Sequence, residues 1–273
     1  MTATGAAVLL VGCGKMGGAL MKGWRARNLG LSVTAVEPDA ALRRAIESEF
    51  GAHAVASPDE IAKSLSPSAV VLAVKPQTME QVAPAYRPYA ASGAVVVSIA
   101  AGRTIASLAR LLGPKAAIVR AMPNTPASIG EGMTVACAGA GVSAPAKALC
   151  ERLLSAVGDF AWVEDEALID AVTAVSGSGP AYVFLLAECL ARAGEKAGLP
   201  ADLSARLARA TVAGSGAMLA RSETPPGELR RNVTSPGGTT AAALEVLMAE
   251  GGLEALMERA VAAALKRSRE LAG

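Results

Sequence analysis

Short apolar runs alternate with amphipathic helical patterns over the first part of the chain. The runs are bounded by Gly, Pro or polar residues and many are rich in Val and Ile, so they predict strands buried on both faces. We predict strands at Ala6–Val11, Leu31–Val36, Ala69–Val74, Ala94–Ile99 and Ala116–Arg120, with edge strands at Met133–Ala138 and Ala161–Val163. The helical patterns between them include Pro58–Leu65, Thr78–Tyr86, Ile105–Leu112 and Ala144–Ala156. This alternation predicts an α/β domain with a parallel, doubly wound sheet.

The pattern changes around residues 158–165, and no strand is predicted beyond it. Helical periodicity continues through Ala167–Val175, a long helix ending at Lys196, Leu203–Leu219, a short turn at Gly227–Arg231, a helix from Ala241 to about Glu250 and a last helix to about Leu271. We therefore predict two domains, an α/β domain at 1–162 and an all-helical domain at 163–273.

Apolar residues of the predicted helical domain fall on more than one helix face. The set comprises Leu185, Leu186, Leu190, Leu207, Val212, Met218, Leu244 and Leu247. A domain of this size would not bury them all by itself, so we expect the helices to pack against a second subunit. A compact monomeric bundle is the alternative.

A glycine motif follows the first predicted strand at once. Gly12–Gly17 reads GCGKMG and leads into a helix that ends near Asn28. Strand, G-x-G-x-x-G and helix in this order are typical of a dinucleotide site. The pattern assigns the tight turn to Gly12, the approach of a pyrophosphate to Gly14 and close helix–strand packing to Gly17. We therefore predict a Rossmann-type domain that binds NADH or NADPH.

The second predicted strand ends in an acid, Glu37. An acid at this place accepts hydrogen bonds from the adenosine ribose and repels a 2′-phosphate, which favours NADH. Arg43 and Arg44 lie one turn further on and offer the opposite preference, unless they only form a solvated helix face. The sequence leans towards NADH and leaves the choice of cofactor open.

Three unusual dipeptides follow three of the predicted strands. They are Lys75-Pro76, Ala101-Gly102 and Pro123-Asn124. Parallel doubly wound sheets bind ligands at the carboxyl ends of their strands. We therefore expect these segments to border the bound cofactor.

The helical domain contains a stretch of small and polar residues, Val233–Thr240, just before a predicted helix. Free backbone N–H groups and the positive end of the helix dipole favour a carboxylate or phosphate at such a start. A capped loop without a ligand is the alternative interpretation, because Ser, Thr and Gly are common at any helix start.

Composition excludes several classes of function. The net charge is +2 and no basic block is present, which argues against a nucleic-acid partner. The four cysteines form no C-x-x-C pair, so we expect no metal site and a reducing, cytoplasmic setting. Met1–Gly5 lacks the basic residues of a signal peptide, and the uncharged stretch Ala171–Ala187 is short and interrupted for a membrane span, so we expect no membrane association.

Acid/base groups are scarce. His53 is the sole histidine, it stands beside a turn, and we expect it at the surface. Lys75 is the one lysine at a predicted strand end, where it either reaches the ligands or caps its own turn. A protonated C=N substrate is already electrophilic and needs a hydride, an anchor and a hydroxyl near nitrogen rather than a strong acid. The stretch Val233–Thr240 offers the anchor and the hydroxyl.

Five motifs follow one another along the sequence, namely Gly12–Gly17, Val74–Gln77, Arg120–Pro126, Ser176–Tyr182 and Thr234–Thr240, of which the last two are the most specific. Together they resemble the pyrroline-5-carboxylate reductase family over essentially the whole chain. The resemblance implies reduction of 1-pyrroline-5-carboxylate to L-proline with NADPH or NADH. It also implies a homodimer formed through the C-terminal helices, dimers that can assemble into decamers, and a cytoplasmic location.

The resemblance also implies roles for individual residues. The catalytic and substrate-binding set has Thr240 at the ring nitrogen and, around the carboxylate, Val233, Ser235, Gly238 and Thr239. The cofactor-binding set is Gly12, Gly14, Lys15, Met16, Gly17, Glu37, Val74, Lys75, Pro76, Ala100, Pro123 and Asn124. Glu37 departs from the family pattern, in which small polar or basic residues often follow the second strand and NADPH is often used.

Two other functions fit parts of the sequence. A β-hydroxyacid-type dehydrogenase shares the two-domain plan, but it would need a lysine in the long helix, and Ser178–Arg192 contains none. A catalytically silent nicotinamide-binding module is the second alternative, and the intact stretch Ser235–Thr240 argues against it.

Overall fold

The computed structural model describes residues 5–272, so the predicted N-terminal segment Met1–Gly5 lies outside the described residues except for Gly5. Within this range the backbone forms one eight-stranded sheet. Its strands are β1 (Ala7–Val11), β2 (Ser32–Val36), β3 (His53–Val55), β4 (Ala69–Leu72), β5 (Val95–Ser98), β6 (Ile118–Met122), β7 (Gly132–Ala138) and β8 (Gly158–Val163).

The strand order is β3-β2-β1-β4-β5-β6-β7-β8. Neighbouring strands are parallel throughout, with pairs such as Val8 opposite Val33 and Leu9 opposite Val70, except that β7 runs antiparallel to β6. The first six positions follow the doubly wound dinucleotide-binding order, which reverses direction between β1 and β4. The predicted fold class is therefore confirmed.

Seven helices accompany the strands in the described part of the chain before residue 178. They are α1 (Lys15–Ala26), α2 (Ala40–Phe50), α3 (Met79–Val82), α4 (Arg87–Ala91), α5 (Ile105–Leu112), α6 (Ala144–Leu154) and α7 (Leu168–Val172).

Side chains on alternate strand positions enter opposite faces of the sheet. Val8 and Leu10 pack on one face with apolar residues of α1 and α6, and Trp24 Nε1 donates to the carbonyl of Leu153 at 2.7 Å. Leu9 and Val11 pack on the other face with residues of α3 and α5. Burial on both faces explains why the strands are almost continuously apolar.

Two local predictions differ from the structure, and one short strand was not predicted. The predicted helix Pro58–Leu65 is only a 3₁₀ turn at Pro58–Glu60, and the predicted helix Thr78–Tyr86 divides into α3 and a 3₁₀ turn at Ala83–Tyr86. Pro84 lies at the start of that second turn and has no N–H to continue α3. His53 is exposed as expected, but it begins the edge strand β3, which is too short to show a pattern in the sequence.

The described chain forms two compact units, one extending to Gly177 and including the end of the chain from Ala264, and the other covering Ser178–Ala263. The division therefore falls beyond the predicted boundary at residue 162. The physical reason lies in α7, where Ile169 is 1% exposed and packs with Val135 and Cys137 of β7. Sheet contacts thus keep α7 in the first unit.

The second unit contains helices and no described strand. Its helices are α8 (Gly179–Lys196), α9 (Ala201–Arg221), α10 (Pro226–Asn232), α11 (Thr239–Leu247) and the first part of α12 (Leu253–Ala272). The hairpin of α8 and α9 is closely packed, because a Cβ on Gly194 would overlap Ser204 Oγ, which donates to the carbonyl of Ala191 at 2.6 Å.

Much of the apolar surface of this second unit is uncovered in the single chain. Among the eight side chains expected to face a second subunit, six are exposed, namely Leu185, Leu186, Leu190, Leu207, Met218 and Leu247. Many exposed large apolar side chains on one group of helices indicate an interaction surface.

Candidate cofactor and substrate sites

The glycine loop between β1 and α1 has the geometry of a pyrophosphate cradle. Gly12 has φ +85°, which favours glycine, and a Cβ there would lie 3.0 Å from the carbonyl oxygen of Ala73. A Cβ on Gly17 would overlap the carbonyl oxygen of Gly12. Both glycines are therefore required by packing within the protein.

Gly14 differs from the other two glycines of the motif. It is exposed, no protein atom lies within 4 Å of a Cβ built on it, and no side chain caps α1 at this end. The space above Gly14 and the N–H groups at the start of α1 are thus available to an anionic ligand. These features fit the pyrophosphate of a nicotinamide dinucleotide.

Glu37 lies beside this loop, at the end of β2. It is 8% exposed, its Oε2 accepts from the N–H of Cys13 at 2.8 Å, and its Oε1 accepts from the N–H of Asp39 at 3.0 Å. Asp39, two residues after Glu37, is a second carboxylate. Hydrogen bonds from the N–H groups of Leu42 and Ala41 lower its pKa. Two carboxylates, Glu37 and Asp39, therefore follow β2 beside the glycine loop.

The charges of Arg43 and Arg44 also help to lower the pKa of Asp39, but the Arg43 side chain donates its hydrogen bonds to the backbone. Its Nη1 donates to the carbonyls of Glu37 and Pro38 at 2.8 and 2.7 Å, which turns the guanidinium towards the backbone. Arg44 is exposed. The sequence offered two arginines as partners for a 2′-phosphate. One of them, Arg43, thus already donates to backbone carbonyls.

The predicted nicotinamide-bordering residues follow β4, β5 and β6, the second mononucleotide half of the fold. Lys75 is exposed after β4, and its carbonyl accepts from Thr78 N and Oγ1, each at 3.0 Å. Ala100 is 3% exposed after β5 and donates its N–H to Ser98 Oγ at 3.3 Å. The sheet brings these strand ends to one edge, as expected from the sequence.

Asn124, after β6, links two of the motifs. Its Oδ1 accepts from the N–H of Met133 at 2.9 Å, and its Nδ2 donates to Ser176 Oγ at 3.1 Å. Ser176 lies in a π-helical turn, Thr173–Gly177, and such turns occur frequently at functional sites. The π-turn was not predicted, although Ser176 belongs to a motif that the sequence singled out.

A buried charge cluster beneath this edge was also missed. Arg120 of β6 is 2% exposed and donates to Glu166 at 3.0 Å and to Asp170 Oδ1 at 3.1 Å. Asp170 Oδ1 also accepts from Ser268 Oγ at 2.9 Å, and Glu166 accepts from the N–H of Ile105 at 2.8 Å. An arginine within the apolar strand β6 is the signal that could have revealed the cluster.

Neither the Cys13 thiol in the glycine loop nor the Cys150 thiol on α6 is poised as a nucleophile. Burial, and secondarily the charge of Glu37, raises the pKa of Cys13 to about 12. Burial likewise raises the pKa of Cys150 to about 12. No group of three or more His, Cys, Asp or Glu that could hold a metal ion occurs among residues 5–272.

The stretch Val233–Thr240 ends at the start of α11, with Gly238 as the N-cap residue. No side chain caps this helix, and Ser235 and Thr239 are exposed while Thr240 is half-buried. Gly237 has φ +67°, which turns the chain into the helix. A carboxylate could therefore reach the N–H groups of the first turn.

One predicted detail of this stretch differs from the structure. The N–H of Gly238, expected to bind a carboxylate, donates to the carbonyl of Ser235 at 3.0 Å. The turn that precedes α11 thus uses this donor within the protein. The N–H groups of Thr239 and Thr240 remain as candidate donors at the helix start.

The doubly wound sheet and the open glycine loop define a nicotinamide-dinucleotide-dependent oxidoreductase. Comparison with known proteins narrows this class. Residues 7–102 match the family model for NADP oxidoreductase, coenzyme F420-dependent, and residues 166–271 match the model for pyrroline-5-carboxylate reductase dimerisation. A pyrroline-5-carboxylate reductase of Pseudomonas aeruginosa is 46% identical over 97% of this chain and 96% of its own length. The chain therefore belongs to the pyrroline-5-carboxylate reductase family.

Solved structures agree with this assignment. A pyrroline-5-carboxylate reductase from Coxiella burnetii superposes with a TM-score of 0.91 at 34% identity, covering 97% of this chain and 98% of that one. A Plasmodium falciparum pyrroline carboxylate reductase with NADP bound gives a TM-score of 0.82 at 31% identity, covering 99% of both chains. NAD(P)H is thus the cofactor type, as the sequence predicted.

Proposed function

We propose that this protein reduces 1-pyrroline-5-carboxylate to L-proline with NADH or NADPH. The observation that carries the proposal is the relationship over 97% of the chain to a reductase of this name. The glycine loop and the strand ends account for the cofactor, and the start of α11 offers a complementary site for a small carboxylate. The chain thus contains both components that an imine reductase needs.

On the cofactor side, the Gly12–Gly17 loop, including Lys15 and Met16, would hold the pyrophosphate. Glu37 would accept from the adenosine ribose. The nicotinamide end would lie along the strand-end residues, namely Val74, Lys75, Pro76, Ala100, Pro123 and Asn124. When bound, this cofactor supplies a hydride.

On the substrate side, the backbone and hydroxyl groups between Ser235 and Thr239 would bind the carboxylate, with Val233 beside them. The positive end of the α11 dipole favours an anion there. Thr240, in the first turn of the same helix, would place its hydroxyl at the ring nitrogen.

The reaction does not require a strong acid or base among the protein side chains. A protonated imine accepts a hydride at carbon and becomes a secondary amine, so no further proton has to be supplied in that step. A hydroxyl that accepts from the N–H of the ring would orient it without titrating. This matches a glycine loop in which burial raises the pKa of the Cys13 thiol, and a chain whose single histidine is exposed on the edge strand β3.

Assembly completes the proposal. The exposed apolar surface of the second unit would be covered by a second copy of the chain, in a dimer that can assemble into a decamer, and the protein would be cytoplasmic. By length and composition alone, the helical run Leu168–Lys196 is apolar enough to cross a membrane. The match of residues 166–271 to a dimerisation model favours protein rather than lipid as its cover.

The test is oxidation of NADH or NADPH by the purified protein, dependent on 1-pyrroline-5-carboxylate, with chiral analysis of the product. We expect L-proline in an amount equal to the nucleotide oxidised. Reduction of NAD+ or NADP+ by a β-hydroxy acid, which is itself oxidised to the keto acid, would instead support the dehydrogenase alternative. Nucleotide binding without either reaction would support the silent module.

A further inference from the structure

The loop between β5 and α5, residues 99–104, lies at the carboxyl edge of the sheet. It contains Ala100, one of the proposed nicotinamide-bordering residues. Because β5 pairs with β4 in parallel, the loop lies next to the segment that follows β4, which holds Lys75 and Pro76. The spacing of these two loops would therefore set the width of the proposed nicotinamide end of the site.

Arg103 joins the two loops. Its Nε and Nη2 both donate to the carbonyl oxygen of Pro76, at 3.0 and 2.7 Å, and its Nη1 donates to Glu80 Oε1 at 2.9 Å. The Arg103 side chain is 21% exposed, whereas that of Glu80 is 69% exposed. The two hydrogen bonds to the Pro76 carbonyl are thus largely shielded from water, whereas water screens the ion pair with Glu80.

The opposite side of the same loop is backed by other parts of the first unit. Gly102 has φ +68°, and a Cβ there would lie 3.1 Å from both Cβ and the carbonyl oxygen of Leu271 in the last turn of α12. The N–H of Ile105 donates to Glu166, which pairs with Arg120. The loop is therefore backed by α12 and by Glu166, which precedes α7, and Arg103 extends from it to the segment after β4.

We propose that Arg103 is a positioning residue for the nicotinamide end of the cofactor. It acts through the Pro76 carbonyl, by holding the β4 and β5 loops at the spacing that a nicotinamide ring and its ribose require. Arginine suits this role because its planar, forked donors fix one acceptor from two directions. The inference rests on the proposed function for the identity of the ligand, but its test needs no substrate turnover.

The experiment measures binding of two nucleotides to the full-length protein by calorimetry. One is NADH and the other is ADP-ribose, which lacks the nicotinamide; NADPH and 2′-phospho-ADP-ribose replace them if the wild type binds these more tightly. In Arg103→Met, which keeps the apolar stem, we expect NADH affinity to fall about tenfold, equal to 1.4 kcal/mol. ADP-ribose affinity should stay at the wild-type value, because the adenosine half does not depend on this link.

Two further variants separate the parts of the link. Glu80→Gln removes the ion pair and leaves both bonds to Pro76, so it should bind both nucleotides like the wild type. Arg103→Lys keeps the charge but loses the fork, so it should fall between the wild type and Arg103→Met for NADH alone. The melting temperature of each variant reports any general loss of stability.

Several outcomes would overturn the inference. These are unchanged NADH binding in Arg103→Met, an equal loss for both nucleotides, or a Glu80→Gln variant as weak as Arg103→Met. If neither Arg103 variant folds, cofactor positioning is not separable from stability and the assignment fails. A wild type that shows the expected binding pattern but does not reduce 1-pyrroline-5-carboxylate would refute the proposed function and leave the role of Arg103 intact.

Discussion

Thr240 is the one residue whose side chain the proposed mechanism places at the reacting C=N group. In Thr240→Ala we expect kcat to fall by about tenfold or more, the effect of one hydrogen bond that strengthens in the transition state. Cofactor affinity should not change, because the proposal places Thr240 at the substrate and not at the cofactor. Steady-state kinetics and nucleotide titration measure the two effects separately.

Thr211→Ala is the matched control for this change. Thr211 is exposed on α9, in the same compact unit, and has no proposed role. Its variant should retain the wild-type kcat. An unchanged kcat in Thr240→Ala would remove Thr240 from the mechanism.

Glu37 is expected to govern the choice between the two cofactors. In Glu37→Ser the ratio of kcat/KM for NADPH to that for NADH should rise by about tenfold, because a buried carboxylate no longer repels the 2′-phosphate. Glu37→Gln retains an acceptor for Cys13 N–H and should shift the ratio in the same direction. Kinetics with each nucleotide in turn provide the measurement.

The exposed Glu47 of α2 gives a control of equal charge, and Glu47→Ser should leave the ratio unchanged. A cofactor ratio that stays constant in both Glu37 variants would mean that this carboxylate does not face the ribose.

The sequence predicted individual residues well where the chemistry is local. The roles of Gly12 and Gly17 follow from a short motif, and the structure gives both the packing that the motif implies. Arg103 and Ser176 were not assigned, because their partners lie far away in sequence. Likewise, the hydrogen bond from the Gly238 N–H to the Ser235 carbonyl depends on a turn conformation that residue types do not specify.

The start of α1 can be tested with two alanine variants of the same motif. A methyl group on Gly14 meets open space and the residue has φ −61°, so Gly14→Ala should fold normally yet lose at least about tenfold in nucleotide affinity. Gly17→Ala should instead destabilise the protein by about 1–3 kcal/mol, because its methyl group overlaps the Gly12 carbonyl.

Urea unfolding and nucleotide titration of both variants distinguish the two effects. Full nucleotide affinity in Gly14→Ala would show that no ligand approaches the backbone at this position.

The cluster around Arg120 connects β6 to α7 and to the end of α12. Arg120→Met leaves Glu166 and Asp170 without their cation, so we expect a loss of about 3 kcal/mol in the free energy of unfolding. The exposed pair of Arg267 and Glu270 on α12 provides the control, and Arg267→Met should cost less than about 1 kcal/mol. Equal losses in the two variants would contradict a structural role for the buried cluster.

Elements with a strong apolar pattern were predicted nearly to their ends, as β1, β5 and α5 show. Elements that depend on tertiary contacts were not. The three residues of β3 form a strand only because they pair with β2, and the π-turn before α8 has no sequence pattern of its own. Periodicity therefore predicted the parallel sheet and most of its strands and helices, but not the short elements β3 and the π-turn.

For the molecule as a whole, the sequence correctly predicted two units, an α/β part and a helical part. It did not predict that the last turns of the chain return to the first unit, where Ser268 donates to Asp170. A helix that contributes to both units shows no break in its periodicity. The apolar surplus of the helical part, in contrast, was visible in composition and corresponds to exposed side chains in the structure.

The central claim is that this one chain transfers a hydride from a nicotinamide to the C=N carbon of 1-pyrroline-5-carboxylate. Isotope transfer from NADH or NADPH carrying deuterium at the transferable position tests it most directly, with mass spectrometry and NMR of the product. The account predicts L-proline with a single deuterium on the ring carbon that was double-bonded to nitrogen. Proline without deuterium, or no proline despite nucleotide binding, would contradict it.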